Sequence, residues 1–272
     1  MSGKRELVSI IIPIFNEEDG IRLLRQKLLC LKDLLGDQYD LEFIFIDDGS
    51  SDGTVAALKS QFATVGTDVS ILEHGVNRGV GAAFRTGFGK ARGDFVCSID
   101  SDCTYSPEGL KLLLNALTLT GTDIAVASPY HPQGGVEGVP SWRLLLSKGC
   151  SAMYRRVAPL KLYTYTSIFR AYRRTVVRTV CFKSNGFVSA VEILMAAGRK
   201  GFTVTEVPLV LRARSTGRSK MKVARTILSH LKILSGFVLS PQAVVHVSRP
   251  PRPVDTFANA LSHRDSKDPF AA

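Results

Sequence analysis

Phe95-Val96-Cys97-Ser98-Ile99-Asp100-Ser101-Asp102 is the stretch whose reading decides the fold. Its first five residues are a short apolar run with a β-branched bias, opened by Gly93-Asp94, and they predict a strand in the core of a sheet. Side chains along an extended chain repeat their direction every second residue, so Asp100 and Asp102 project toward the same side. Ligands of open α/β sheets bind beyond the carboxyl ends of the strands, which is where these acids fall. Two like charges so close repel unless a cation lies between them. An all-oxygen donor set suits Mg²⁺ or Mn²⁺, ions that complete their shells with phosphate oxygens and water.

Working outward, apolar runs alternate with helical spacing. Val8–Pro13, Leu41–Ile46, Val69–Leu72, Asp123–Ala127 and Phe202–Val207 read as strands. Ile21–Leu35 and Gly79–Ala91 read as helices, and Ser106-Pro107-Glu108 reads as a helix start. This alternation predicts a doubly wound, mostly parallel sheet. After Tyr130 a Gly/Pro loop leads to a basic helix over Trp142–Val157, and the last helix runs over Met221–Leu239. That helix is amphipathic and serves either to pack on the core or to lie in a membrane interface. The expected organisation is a catalytic domain over residues 1–222, an amphipathic helix over 223–240 and a flexible tail over 241–272.

The chain of 272 residues carries a net charge of +11, unevenly spread. Between Ser141 and Lys232 stand 19 Lys and Arg against two acids, Glu192 and Glu206. Such a field favours phosphates or acidic headgroups. Nucleic acid is not an expected partner, because no helix-turn-helix, zinc-finger or aromatic RNA-binding pattern appears. The five cysteines are scattered and never spaced Cys-x-x-Cys, which points to reduced thiols in a cytosolic setting and away from zinc. No signal peptide is read at the start, and no apolar stretch reaches the roughly 20 residues of a membrane span. The first strand lacks a Gly-x-Gly-x-x-Gly turn, which disfavours dinucleotide binding, and the absence of a Gly-x-x-x-x-Gly-Lys-Ser/Thr loop removes the triphosphatase reading.

Three strand ends carry chemistry on one edge: Pro13-Ile14-Phe15-Asn16-Glu17-Glu18, Asp47-Asp48 and Asp100-Ser101-Asp102. Carboxylates accept from a nucleoside's hydroxyl and N–H groups, while a divalent ion takes the diphosphate. From Val8 to about Lys222 the chain resembles family 2 inverting glycosyltransferases, and among them the polyprenyl (dolichyl) phosphate mannose or glucose synthases. The segments that carry the resemblance are Val8–Glu18, Asp47–Thr54, Asn77–Ala83, Ala91–Asp94 and Asp100–Asp102. It continues through Gly134–Gly138 with Ser141-Trp142-Arg143, Phe169–Tyr172, Glu192, Glu206-Val207-Pro208 and Gly217–Lys220.

The resemblance implies a GT-A fold and transfer from a nucleotide-diphospho-sugar to a polyprenyl phosphate, metal-dependent and inverting. It implies donor contacts for Pro13, Phe15, Glu17, Asp48 and the adjoining Asp47, with Ser101 counted to the same site. Asp100 and Asp102 are the implied catalytic and metal-binding pair, on Mg²⁺ or Mn²⁺. Arg143 and Ser147 fall where the family holds the lipid phosphate, and Arg212 and Lys220 lie in its basic loop over the diphosphate. A peripheral position at the cytoplasmic face of a membrane follows, with room for a membrane-anchoring partner subunit. The family's Asp-Ala-Asp-Leu-Gln is here Asp100-Ser101-Asp102-Cys103-Thr104, its Gly-Ser-Arg-Tyr is Ala127-Ser128-Pro129-Tyr130, and its Asp-x-Thr-Ser-Gly-Phe-Arg is Thr164–Arg170 without the Asp and the Gly. These departures gather on the acceptor side. They leave room for a soluble hydroxyl acceptor, or for a catalytically idle protein that binds nucleotide-sugar.

Overall fold

A computed structural model describes residues 5–214 and 223–239. The strands are β1 (Glu6–Ile14), β2 (Tyr39–Asp47), β3 (Asp68–Glu73), β4 (Phe95–Ser98), β5 (Ile124–Ser128), β6 (Gly135–Glu137), β7 (Arg170–Arg173), β8 (Val204–Pro208) and β9 (Val210–Arg212). The helices are α1 (Ile21–Leu35), α2 (Thr54–Phe62), α3 (Val80–Lys90), α4 (Leu110–Thr120), α5 (Ser141–Val157), α6 (Arg174–Thr179), α7 (Ser189–Arg199) and α8 (Val223–Leu239). Seven strands form one sheet in the order β3-β2-β1-β4-β7-β5-β8, while β6 and β9 pair apart from it. All neighbours in the large sheet are parallel except β7, which runs antiparallel between β4 and β5.

The pleat of β1 explains the layers. Val8, Ile10, Ile12 and Ile14 enter one core cluster with α1, α2 and α4, whereas Ile11 enters the other with α3, α5 and α7. In α1 the buried residues Ile21, Leu24, Leu28, Leu31 and Leu35 recur at helical intervals. Each such side chain contributes roughly 1.5–3 kcal/mol on leaving water. Sequence periodicity therefore finds α1 at its observed bounds.

β7 escaped the sequence reading for a physical reason. Arg170 within it is fully buried, its guanidinium donating to Ala190 O at 2.7 Å and Tyr165 O at 2.8 Å. An arginine in a short segment reads as surface, yet backbone carbonyls here satisfy it inside. α6, α7 and the β6–β9 ribbon were also not read from the sequence.

α5 and α8 pack against each other, with Tyr154 Oη 3.0 Å from His230 Nδ1. Outward from them stand Leu145, 75% exposed, and Leu228, 67% exposed, with Trp142, Leu146, Met153 and Leu231 also exposed. No helix among the described residues is long and apolar enough to cross a membrane. The expected 241–272 tail lies outside the described residues.

Candidate active site

Parallel pairing of β1 with β2 and of β1 with β4 brings three carboxyl-end loops to one edge. The loop after β1 is tied to the loop after β2. Asn16 N–H donates to Ser50 Oγ at 2.8 Å, Glu17 N–H to Thr54 Oγ1 at 2.8 Å, and Ser51 N–H returns to Asn16 Oδ1 at 2.7 Å. Asn16 and Cys103 are the non-glycine residues at positive φ among the described residues, at 51° and 53°. One sits beside Glu17 and the other beside Asp102, so strained backbone marks both acid-bearing loops.

An open cleft of about 1440 Å³ lies over this edge. Pro13, Phe15, Glu17, Asp48, Ser101 and Arg143 line it, as do Asp100 and Asp102. Asp47 is not among the lining residues. Its carboxylate accepts from the N–H groups of Gly49 (3.2 Å) and Ser50 (3.1 Å), which shapes the turn into α2. Asp48 is also buried and nearly saturated: it accepts from Arg78 N–H at 3.0 Å and Gly79 N–H at 2.7 Å and lies 2.8 Å from His74 Nδ1. His74 Nε2 is in turn 2.9 Å from Thr86 Oγ1. Asp48 thus holds the 77–79 loop against the cleft as well as facing it. At Gly79 (φ 94°) a Cβ would come within 2.4 Å of Asn185 O, so glycine is required where α3 meets the opposite rim.

Across the cleft, Arg143 and Ser147 share one face of α5, four residues apart. Arg143 reaches the cleft, but Ser147 does not line it and lies 3.0 Å from Thr166 Oγ1. Arg212 lines the cleft and directs its guanidinium at Glu137 across the exposed β6–β9 ribbon, at 2.9 Å. Lys220 lies outside the described residues. The cation that does enter the acidic corner is Arg214, which sequence reasoning missed. Its Nε donates to Asp102 Oδ2 at 2.6 Å, and it lies 3.1 Å from Glu17 Oε1. Its only sequence signal was its place two residues past Arg212, on the opposite side of an extended chain from the adjoining Ala213.

Asp102 is further oriented by Thr104 N–H, which donates to its Oδ1 at 3.1 Å. Asp100 is half-buried at the cleft, and desolvation, reinforced by Asp102 and opposed by Arg214, raises its carboxyl well above the ordinary range. A corner in which two carboxylates disfavour each other's charge has the chemistry of a cation site. Among the described residues no three acid, His or Cys side chains form a complete metal shell. Two carboxylates alone suit an ion that takes its remaining ligands from phosphate and water.

That burial has a consequence for stability. The native state keeps the Asp100 proton to a higher pH than the unfolded chain does. Stability from this group therefore falls as pH rises from the ordinary carboxylate range through its raised value. Asp100→Asn is expected to stabilise the metal-free protein near neutral pH, read as a higher melting temperature. The gain should shrink as the pH falls below the ordinary carboxylate range, where the folded and the unfolded chain are both protonated. A variant that melts lower than the parent near neutrality would contradict the assignment.

On the acceptor side, Thr164 stands where the resemblance expected an acid. It is buried, 2.8 Å from Ser128 Oγ, and both belong to a network on Glu206. Glu206 accepts from Ser128 Oγ, Tyr163 N–H and Thr164 N–H at 2.7–2.9 Å. Position 164 and Glu206 are thus parts of the scaffold and do not line the cleft.

The architecture matches solved glucosyl-3-phosphoglycerate synthases of Mycobacterium tuberculosis. One, in complex with Mn²⁺, UDP-glucose and phosphoglyceric acid, superposes with a TM-score of 0.63 at 19% identity, covering 92% of this chain and 87% of that one. Another, with Mn²⁺, UDP and glucosyl-3-phosphoglycerate, gives 0.61 at 20% identity, covering 85% and 80%. The fold is that of the GT-A glycosyltransferases, an α/β architecture on a mostly parallel sheet. Residues 9–181 match the family model of glycosyl transferase family 2, and the chain belongs to that family. It is 33% identical over 221 residues to the polyprenol monophosphomannose synthase of Mycolicibacterium smegmatis, which covers 78% of this chain and 80% of that protein. It is likewise 33% identical over 228 residues to the dolichol-phosphate mannosyltransferase of Pyrococcus furiosus, covering 83% of this chain and 62% of the relative.

Proposed function

We propose that the protein transfers a hexosyl group from a nucleotide-diphospho-sugar to a polyprenyl phosphate, with inversion, at the cytoplasmic face of a membrane. The observation that carries this reading is the pairing, across one cleft, of the Asp100/Asp102 corner with the cations Arg143 and Arg214. The names of the relatives agree with it: one is a polyprenol monophosphomannose synthase and one a dolichol-phosphate mannosyltransferase, and solved neighbours hold Mn²⁺ or Mg²⁺ with UDP.

Asp100 and Asp102 would hold Mg²⁺ or Mn²⁺, which when bound supplies positive charge against the departing diphosphate. Asp48, with Pro13 and Phe15, forms the wall for the nucleoside, and the Asn77–Gly79 loop closes that wall through its bonds to Asp48. Arg143, on the facing helix, orients the acceptor phosphate. The phosphate oxygen forms a bond to the anomeric carbon while the bond from that carbon to the donor diphosphate breaks, its electron pair leaving with the diphosphate. A phosphate monoester is largely ionised near neutrality, since its second pKa is about 6. It needs no general base. The acids that line the cleft, Glu17, Asp48, Asp100 and Asp102, all have assigned work, and Glu206 is committed to backbone N–H groups. A hydroxyl acceptor would need a base that these residues do not offer.

The test is incubation of purified protein with radiolabelled GDP- and UDP-sugars, Mn²⁺ and a polyprenyl phosphate in detergent. Label extractable into organic solvent, dependent on all three additions, is the expected result. Its absence across the donor panel, or transfer only to soluble hydroxyl compounds, would overturn the lipid acceptor.

A further inference from the structure

Arg214 is placed by backbone, not by chance reach. Arg212 N–H donates to Thr104 O at 2.9 Å and Ala213 N–H to Glu137 O at 2.9 Å. The first of these bonds staples the end of β9 to the very loop that carries Asp100 and Asp102. From that anchor one guanidinium spans two strand-end loops, meeting Asp102 at 2.6 Å and Glu17 at 3.1 Å. The Glu17 and Asp102 side chains are only 8% and 12% exposed, and that of Arg214 is 25% exposed. The Arg214 guanidinium therefore meets two acids in a site that, by its donor set, suits a divalent ion.

We propose that Arg214 is a positioning residue that acts as the resident counter-ion of the Asp102–Glu17 corner, and that a divalent cation bound by Asp100 and Asp102 displaces it. The inference rests on the metal reading above. Asp102 Oδ2 is already engaged by a charge-assisted hydrogen bond, so an ion bridging the two aspartates must compete for that carboxylate. It would also sit beside a guanidinium in a poorly solvated corner, where like charges repel strongly. Once expelled from Asp102, Arg214 stays tethered by β9 at the cleft, where its planar fork of donors suits a phosphate. Arg214, which lines the cleft with Arg78, Arg143 and Arg212, then turns from the carboxylates toward a phosphate.

Mn²⁺ alone, titrated into the full chain without donor and followed by electron paramagnetic resonance, separates the outcomes. Arg214→Met removes the competing charge and keeps most of the volume. It is expected to bind Mn²⁺ at least about tenfold more tightly, the size of one charge-assisted hydrogen bond. Unchanged or weaker binding overturns the inference, because an arginine that merely braces Asp102 would be missed by the metal. If neither protein binds Mn²⁺, the metal reading itself falls. That result is distinct from equal binding by both.

Discussion

Asp102→Ala is expected to lower sugar transfer by about a thousandfold or more, the scale of losing one preorganised electrostatic element at a reacting centre. Asp102 is held from two sides, by Thr104 N–H at 3.1 Å and Arg214 at 2.6 Å, so its carboxylate is fixed before any ligand arrives. Alanine deletes one of two aspartate ligands and leaves Asp100 to hold an ion alone. Asp102→Asn is the sharper variant, because it keeps the shape and an acceptor for Thr104 N–H while removing the charge. Both should lose Mn²⁺-supported donor binding with the folded state intact. Transfer by the asparagine variant within about tenfold of the parent would remove Asp102 from the reaction.

The second large effect is expected on the outer surface of the helices α5 and α8 beside the cleft. On α5 the exposed residues Trp142, Leu145, Leu146 and Met153 form one helical stripe, while Cys150, Ser151 and Tyr154 face inward. Leu228 and Leu231 extend that surface from α8. Lys148, Arg155, Arg156 and Lys232 are exposed among them, which pairs apolar insertion with attraction to anionic headgroups. The cleft opens between the same helices, since Arg143 of α5 and Thr226 and Ser229 of α8 line it. A lipid phosphate could then reach Arg143 without its chain leaving the bilayer. Leu145→Glu combined with Leu228→Glu forfeits roughly 1.5–3 kcal/mol per side chain. Sedimentation with anionic vesicles should weaken by about a hundredfold or more, and transfer to a long-chain polyprenyl phosphate should fall with it. Transfer to a short-chain, water-soluble analogue should persist. Equal vesicle binding by the variant and the parent would contradict a membrane-facing role for this surface.

The parallel half of the fold was legible because its signals are local. Runs such as Ile10-Ile11-Ile12 and Phe43-Ile44-Phe45-Ile46 are apolar on both faces, as strands covered by helices on both sides must be. The β4 end was legible for the same reason, and with it Asp100 and Asp102. What the sequence hid depends on long-range partners. Arg170 reads as a surface residue until Tyr165 and Ala190 are seen to supply its acceptors. Asp47 and Asp48 are neighbours with the same chemistry, yet only the fold shows that one turns into the α2 entry and the other lines the cleft. Arg212 and Arg214 differ by the pairing of β9 with β6, which commits the first to Glu137 and sends the second to Asp102. No spacing rule distinguishes them. The antiparallel β7 is four residues long and inserts between strands far from it in sequence, so no periodicity could have placed it.

The central claim is that Asp100 and Asp102 together hold a divalent cation that engages the donor's diphosphate. Anomalous diffraction from crystals soaked with Mn²⁺ and either GDP or UDP tests it most directly. A manganese peak touching oxygens of both aspartates and of the diphosphate is the predicted result. A nucleotide bound in the cleft with no manganese at that corner, or manganese bound elsewhere, would contradict it.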